Sequence, residues 1–168
     1  STDTGLAAQY NVNYNNTELV LNALVQGNSS LTHAGTGTLI LDQANTATGT
    51  LGITNAGAVV QLGTEAKAGQ WAGTVLNGEG TLKIVNGALT SAMTRAEGAT
   101  AAIVVDSASS VNLGETDGSM LKGITLAAGG RLANVSGDIT VGAGATETLN
   151  LTLGADNINQ DAAGAAII

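Results

Sequence analysis

Gly-Thr-Gly-Thr-Leu-Ile-Leu-Asp-Gln-Ala-Asn-Thr-Ala-Thr-Gly-Thr-Leu-Gly-Ile-Thr-Asn-Ala-Gly-Ala-Val-Val-Gln-Leu-Gly, residues 35–63, holds three short apolar strands separated by turns. Its opening returns at Gly78-Glu79-Gly80-Thr81-Leu82-Lys83-Ile84. A unit this small cannot bury its apolar face alone and must stack on neighbours of its own kind. The reading is therefore all-β: a parallel β-helix, or β-solenoid.

Working outward from the unit, further strands are expected at Glu18–Val25, Thr38–Asp42, Leu51–Thr54, Val59–Leu62, Thr74–Leu76 and Thr81–Val85. Others follow at Ala102–Val105, Ser110–Leu113, Ile124–Leu126, Arg131–Val135, Asp138–Val141 and Glu147–Leu153. Most alternate apolar and polar residues, as at Leu149, Leu151 and Leu153, so one face is buried. Gly, Asn, Asp and Ser fill the breaks between them. Two or three strands per turn give coils of roughly 20 to 25 residues and about six or seven rungs. Glu65–Gly69 and Ser91–Glu97 are too short before Gly69 and Gly98 for amphipathic helices and are read as projecting loops. The chain is one domain over 1–168, with 1–16 as a cap or lead-in and 156–168 as a loose tail.

Composition agrees. Aromatic residues make up 2% of the chain and Phe is absent, so the interior must be a thin layer of Val, Ile, Leu and Ala. Twenty-four Gly and no Pro suit a coil with many corners and no backbone donors to spare.

The wording of residues 35–63 resembles the autotransporter-associated β-strand repeat of bacterial autotransporter passenger regions. There Gly-x-Gly-Thr-Leu-x-Leu leads to an Asn-Thr-x-Thr-Gly turn, a β-branched strand and Gly-x-Val/Leu-x-Leu-Gly. Gly35, Gly37, Thr38, Leu39 and Leu41 match the first part, and Asn45, Thr46, Thr48 and Gly49 the second. Ile53, Gly57 and Leu62 match the third, with Val60 close to its alternating position, and Trp71-Ala72-Gly73 also has the family's look. The second copy departs from the pattern: the turn Val85-Asn86-Gly87 arrives early and no Asn-Thr-x-Thr-Gly follows. The close match covers about a third of the chain. It implies a β-helical segment carried across the outer membrane and displayed on the bacterial surface, extracellular, as a rigid stalk or adhesin. It also implies a host-surface glycan or protein receptor as partner, or self-association, and a C-terminal translocator barrel in the parent protein. The absence of Cys fits export in an unfolded state, which a disulfide would obstruct.

Charge and motifs narrow the chemistry. A net charge of −8, with Lys67, Lys83, Arg95, Lys122 and Arg131 scattered singly, disfavours nucleic acid and anionic membrane. No apolar run is long enough to insert in a bilayer as a helix, and Ser1-Thr2-Asp3-Thr4 lacks the basic start of a signal peptide, so a mature protein or a segment of one is expected. His33, the one histidine, is read as a surface-turn residue. A zinc site needs more ligands than one His without Cys supplies, and no nucleophile elbow accompanies it.

Asp106, Glu115, Asp117 and Asp138 are the carboxylates that stacking would have to gather in a polysaccharide-cleaving β-helix. Their spacing is that of solvated turns, so the protein is read as non-enzymatic, with no catalytic, cofactor or metal residues. Asp156-Asn157-Ile158-Asn159-Gln160-Asp161 lacks the mid-loop Gly and closing Glu of a calcium loop. Asn-x-Ser/Thr triplets at Asn15, Asn28, Asn134 and Asn150 are set aside as chance in an Asn-rich chain. Trp71 is expected to pack over a corner opened by Gly69 and Gly73, and Asn45 to stack in a buried amide ladder. The alternative to a displayed passenger is the enzyme just described or a subunit of a self-assembling surface fibre.

Overall fold

Leu39, Val60, Leu82 and Ile103 occupy one register position of four successive parallel strands, and all four are fully buried. The computed structural model shows how the chain reaches this arrangement. It describes residues 8–89, 91 and 93–105, together with the short segments 110–112, 124–126, 131–133, 152–153, 159–160 and 166–167.

Strands alternate between faces of a coil. One face carries β1 (Gln9–Val12), β3 (Ser30–His33), β5 (Leu51–Ile53), β8 (Val75–Gly78) and β11 (Thr94–Arg95), hydrogen-bonded in that order. A second carries β2 (Glu18–Leu21), β4 (Thr38–Leu41), β6 (Val59–Leu62), β9 (Thr81–Ile84), β12 (Ala102–Val105), β14 (Ile124–Leu126) and β16 (Thr152–Leu153). Shorter parallel pairs join β7 (Gly69–Trp71) to β10 (Gly87–Leu89), and β13 (Ser110–Asn112) to β15 (Arg131–Ala133). No helix occurs among the described residues. This is a β-solenoid, as the repeat unit implies.

The step from one coil to the next is 20 or 21 residues over the first coils, as the hydrogen bonds of Thr48 to Asn28 and Gly27 record. It widens to 25 between Asn45 and Gln70, where residues 64–68 are inserted. Among the described residues four steps lead from β1 to β11, so about four turns close on both principal faces, where six or seven rungs were expected for the whole chain. Among the described residues beyond β11 the longer sheet continues through β12, β14 and β16, and its step from Thr125 to Thr152 is long.

The core is a set of columns. Leu31, Leu51 and Leu76 form one, and Leu41, Leu62 and Ile84 another, each residue fully buried. Full burial of each such side chain contributes roughly 1.5–3 kcal/mol. Trp71, fully buried, is the largest side chain in the core. A Cβ at Gly73 would lie 2.5 Å from its Nε1, so Gly73 makes room for the ring as expected, whereas Gly69 lies instead against the backbone of Leu41 and Gly63.

Several strand boundaries differ from expectation. β1, β3, β7 and β10 are polar or Gly-containing, and their alternation is too weak to stand out in the sequence. β2 ends at Leu21 rather than Val25, because Val25 turns inward and its amide bonds to a side chain of the next coil. The lead-in contributes β1, and the tail expected to be loose contains an antiparallel pair, β17 (Asn159–Gln160) with β18 (Ala166–Ile167). The loop expected at Ser91–Glu97 contains β11, and Met93 is 1% exposed within the core. The strand expected at Asp138–Val141 lies outside the described residues.

Column packing predicts the response to truncation. Leu62→Ala should cost about 2–5 kcal/mol in urea unfolding, whereas Thr54→Ala, on an exposed position, should stay within about 0.5 kcal/mol. Gly63 has φ +72, and a Cβ there would overlap the Asn86 carbonyl. Gly63→Ala should therefore destabilise by more than about 1 kcal/mol, and equal midpoints for wild type and variant would contradict the stacking described.

Candidate functional site

Outward positions of the first face carry the feature most like a binding site. Asn11, Thr32, Gly52 and Asn77 share one register position, and the missing side chain at Gly52 leaves a gap in that row. The gap opens into a cleft of about 360 Å³ lined by Thr32, Gly52, Thr54, Asn77, Glu79 and the turn around Glu97 and Gly98. A Cβ on Gly52 would meet Thr32 Oγ1 at 2.8 Å, so a larger residue would fill the floor.

The turn that overhangs the cleft is held by backbone bonds. Ala96 N donates to Leu76 O at 2.8 Å, and Thr100 N donates to Gly78 O at 3.0 Å. Asn77 Oδ1 accepts from the Gly78 amide at 2.8 Å, which fixes the side chain at the rim. The lining offers hydroxyl, amide and carboxylate groups and no cation. Its chemistry suits a neutral polar ligand or one with positive charge, and Glu79 and Glu97 repel acidic ones.

Buried polar residues serve the scaffold. Asn45, 1% exposed, accepts from the Val25 amide at 2.8 Å through Oδ1, and its carbonyl accepts from Gln70 Nε2 at 3.1 Å. It thus bridges three coils by two bonds that each pair a side chain with a backbone group, where a ladder of stacked amides was expected. Amide and hydroxyl contacts between coils lie outside instead. Gln43 Nε2 donates to Asn22 Oδ1 at 2.9 Å, and Thr36 N donates to Asn15 Oδ1 at 3.0 Å.

His33 corrects the surface-turn expectation. It sits in β3, in register with Val12 and Ile53, and is fully buried. Its Nε2 lies 2.7 Å from the Gly37 carbonyl, which only accepts, so Nε2 carries the hydrogen and the imidazole closes the turn between β3 and β4. Leu31 two residues earlier points inward as well. The 20-residue spacing from Leu31 to Leu51 was the signal that could have revealed this.

Arg95 takes the register position of Leu76 at the far edge of the first face, with Nε donating to Ala101 O at 2.6 Å. Burial lowers its pKa from the usual guanidinium value, and it stays a cation at any physiological pH. Lys67 and Asp42 form a 3.7 Å ion pair at the exposed 64–68 loop, of the kind worth little to stability.

Among the described residues no group of three or more His, Cys, Asp or Glu is placed to hold a metal ion, and no helix is long and apolar enough to cross a membrane. Asp106, Glu115, Asp117, Asp138 and, apart from Asn159 and Gln160, the stretch Asp156–Asp161 lie outside the described residues. Compared with family models, with curated proteins and with solved structures, the chain matches none.

The Asn45 bond gives a direct test of the inter-coil bridge. Asn45→Leu keeps the volume and strands the buried Val25 amide, so it should cost about 1–3 kcal/mol in chemical unfolding. A neutral effect would mean that Val25 finds another acceptor.

Proposed function

We propose that this chain is a non-enzymatic, β-helical passenger segment of an exported bacterial protein, displayed at the cell surface as a stiff stalk with an adhesive side. The observation that carries the reading is the repeat of residues 35–63. Its strands stack in parallel register with the strands before and after it, and its wording resembles the autotransporter-associated repeat.

The mechanism is geometric. Backbone hydrogen bonds run along the stack from coil to coil, so bending the body would break many of them together, and the coil acts as a spacer. Contacts come from outward groups: the cleft beside Gly52, the exposed loop Glu65–Ala68 and the turn at Glu97–Gly98. The projecting loops read from the sequence at Glu65–Gly69 and Ser91–Glu97 are shorter in the fold. Gly69 and Met93 belong to the interior.

Joined to a signal peptide and an outer-membrane translocator in a Gram-negative host, the chain should reach the surface and become accessible to added protease. Retention in the periplasm would count against display. Purified chain should bind one of a panel of host cells, mucins or matrix proteins, and Gly52→Val should weaken that binding if the cleft makes the contact. Binding unchanged in Gly52→Val would move adhesion to the loops, and no binding at all would leave the spacer role. Steady release of reducing ends from neutral or acidic polysaccharides would replace this reading with the enzymatic one.

A further inference from the structure

Asn77 and Gly78 close β8, and Gly78 leaves the extended conformation there, with φ +94. On the β5 side the ladder passes over Gly78, because Glu79 N and Gly80 N both donate to Ile53 O at 2.9 Å. On the β11 side, among the described residues, strand pairing stops at Leu76 opposite Arg95. The Gly78 amide instead donates to Oδ1 of the residue before it, Asn77, at 2.8 Å. That contact sets a backbone nitrogen beside a carboxamide carbon, since Cγ lies one carbonyl bond, about 1.2 Å, from Oδ1.

Nitrogen and carbon placed in this way are the reactants of a ring closure. Asn77 is exposed, on the lining of the cleft beside Gly52, where water has access. Gly78 brings no side chain to hinder approach to its nitrogen, and a Cβ there would overlap the Ile53 carbonyl. The sequence holds a second Asn-Gly pair, Asn86–Gly87, in a different setting. Asn86 is half-buried, its carbonyl accepts from Gly69 N at 2.9 Å, and a Cβ on Gly87 would overlap the Gly69 carbonyl. The same dipeptide thus occurs once at an open rim and once pressed against a neighbouring coil.

We infer that Asn77–Gly78 is a site of self-modification, where the folded chain converts its own asparagine to aspartate and isoaspartate. The Gly78 nitrogen attacks Asn77 Cγ, and the new N–Cγ bond closes a succinimide ring. The Cγ–Nδ2 bond breaks, and Nδ2 departs as ammonia with the proton that the Gly78 nitrogen gives up. Water then opens the ring, its hydroxyl going to a carbonyl carbon and its remaining proton to the Gly78 nitrogen. Addition at Cγ restores the backbone and leaves aspartate. Addition at the Asn77 backbone carbonyl leaves isoaspartate, with the main chain running through Cγ. Either product adds a carboxyl to a lining that already holds Glu79 and Glu97, so the cleft grows more acidic as the molecule ages. The inference concerns the folded chain itself and does not rest on surface display.

The 168-residue chain, kept folded at mildly alkaline pH in heavy-oxygen water, should be sampled over time by peptide mapping and mass spectrometry. Aspartate and isoaspartate should both accumulate at position 77, each with heavy oxygen in the new carboxyl group. Conversion at Asn77 should outpace that at Asn86 by roughly tenfold or more. In urea, where the fold no longer separates the two pairs, Asn86 should rise to meet Asn77, whose own rate should change little. Asn77→Gln, whose longer side chain closes a larger and slower-forming ring, should remove the signal at 77 and leave Asn86 unchanged, with far-ultraviolet circular dichroism confirming the fold. Equal rates at the two pairs in the folded chain would overturn the inference, as would aspartate alone at 77, the mark of direct hydrolysis. An Asn77 rate that climbs only on unfolding would overturn it too, by showing that the fold protects the pair.

Discussion

Each inward side chain of this protein is buried by its counterpart one coil away, and that dependence governs the rest of the structure. The columns Leu39–Val60–Leu82–Ile103 and Leu41–Leu62–Ile84 exist because the coil length along this face holds at 21 or 22 residues, so parallel strands meet in a fixed register. A slip of one residue would turn Leu39 and Leu41 out and Thr38 and Ile40 in. Register, interior composition and rod-like growth are thus one constraint. Stability in such an array is close to a sum over neighbouring coils, so no single coil is a stable unit.

Polar groups reinforce the same register from two sides. Inside, Asn45 ties the Val25 amide to Gln70 across three coils, and His33 closes a turn onto Gly37. Outside, Thr36 with Asn15, Thr48 with Asn28 and Gln43 with Asn22 link positions one coil apart. Each exposed bond is worth little alone. Three together between the first two coils, they favour one alignment of those coils over its shifted alternatives.

The fold was legible in the sequence where apolar alternation is strong. Leu39 and Leu41, Val60 and Leu62, and Leu82 and Ile84 announce β4, β6 and β9, and the repeated Gly-x-Gly-Thr-Leu gives their relation. β1 and β3 were not legible, because Gln9–Val12 and Ser30–His33 each offer few apolar residues and become recognisable only through their spacing from Leu51. His33 looked like a turn residue because its neighbours Thr32 and Ala34 are small and polar or weakly apolar, while its burial depends on Val12 and Ile53 in other coils. The cleft was invisible for a related reason. It arises from the absence of a side chain at Gly52 between Thr32 and Asn77, which are far apart in the chain and adjacent only after stacking.

The widened step between Asn45 and Gln70 shows how this architecture absorbs length. Residues 64–68 form their own small hairpin, closed by reciprocal backbone bonds between Thr64 and Lys67, and the strands on either side resume their columns undisturbed. That corner is a port through which evolution, or a protein engineer, can add segments of varied size while the stacked coils keep their geometry.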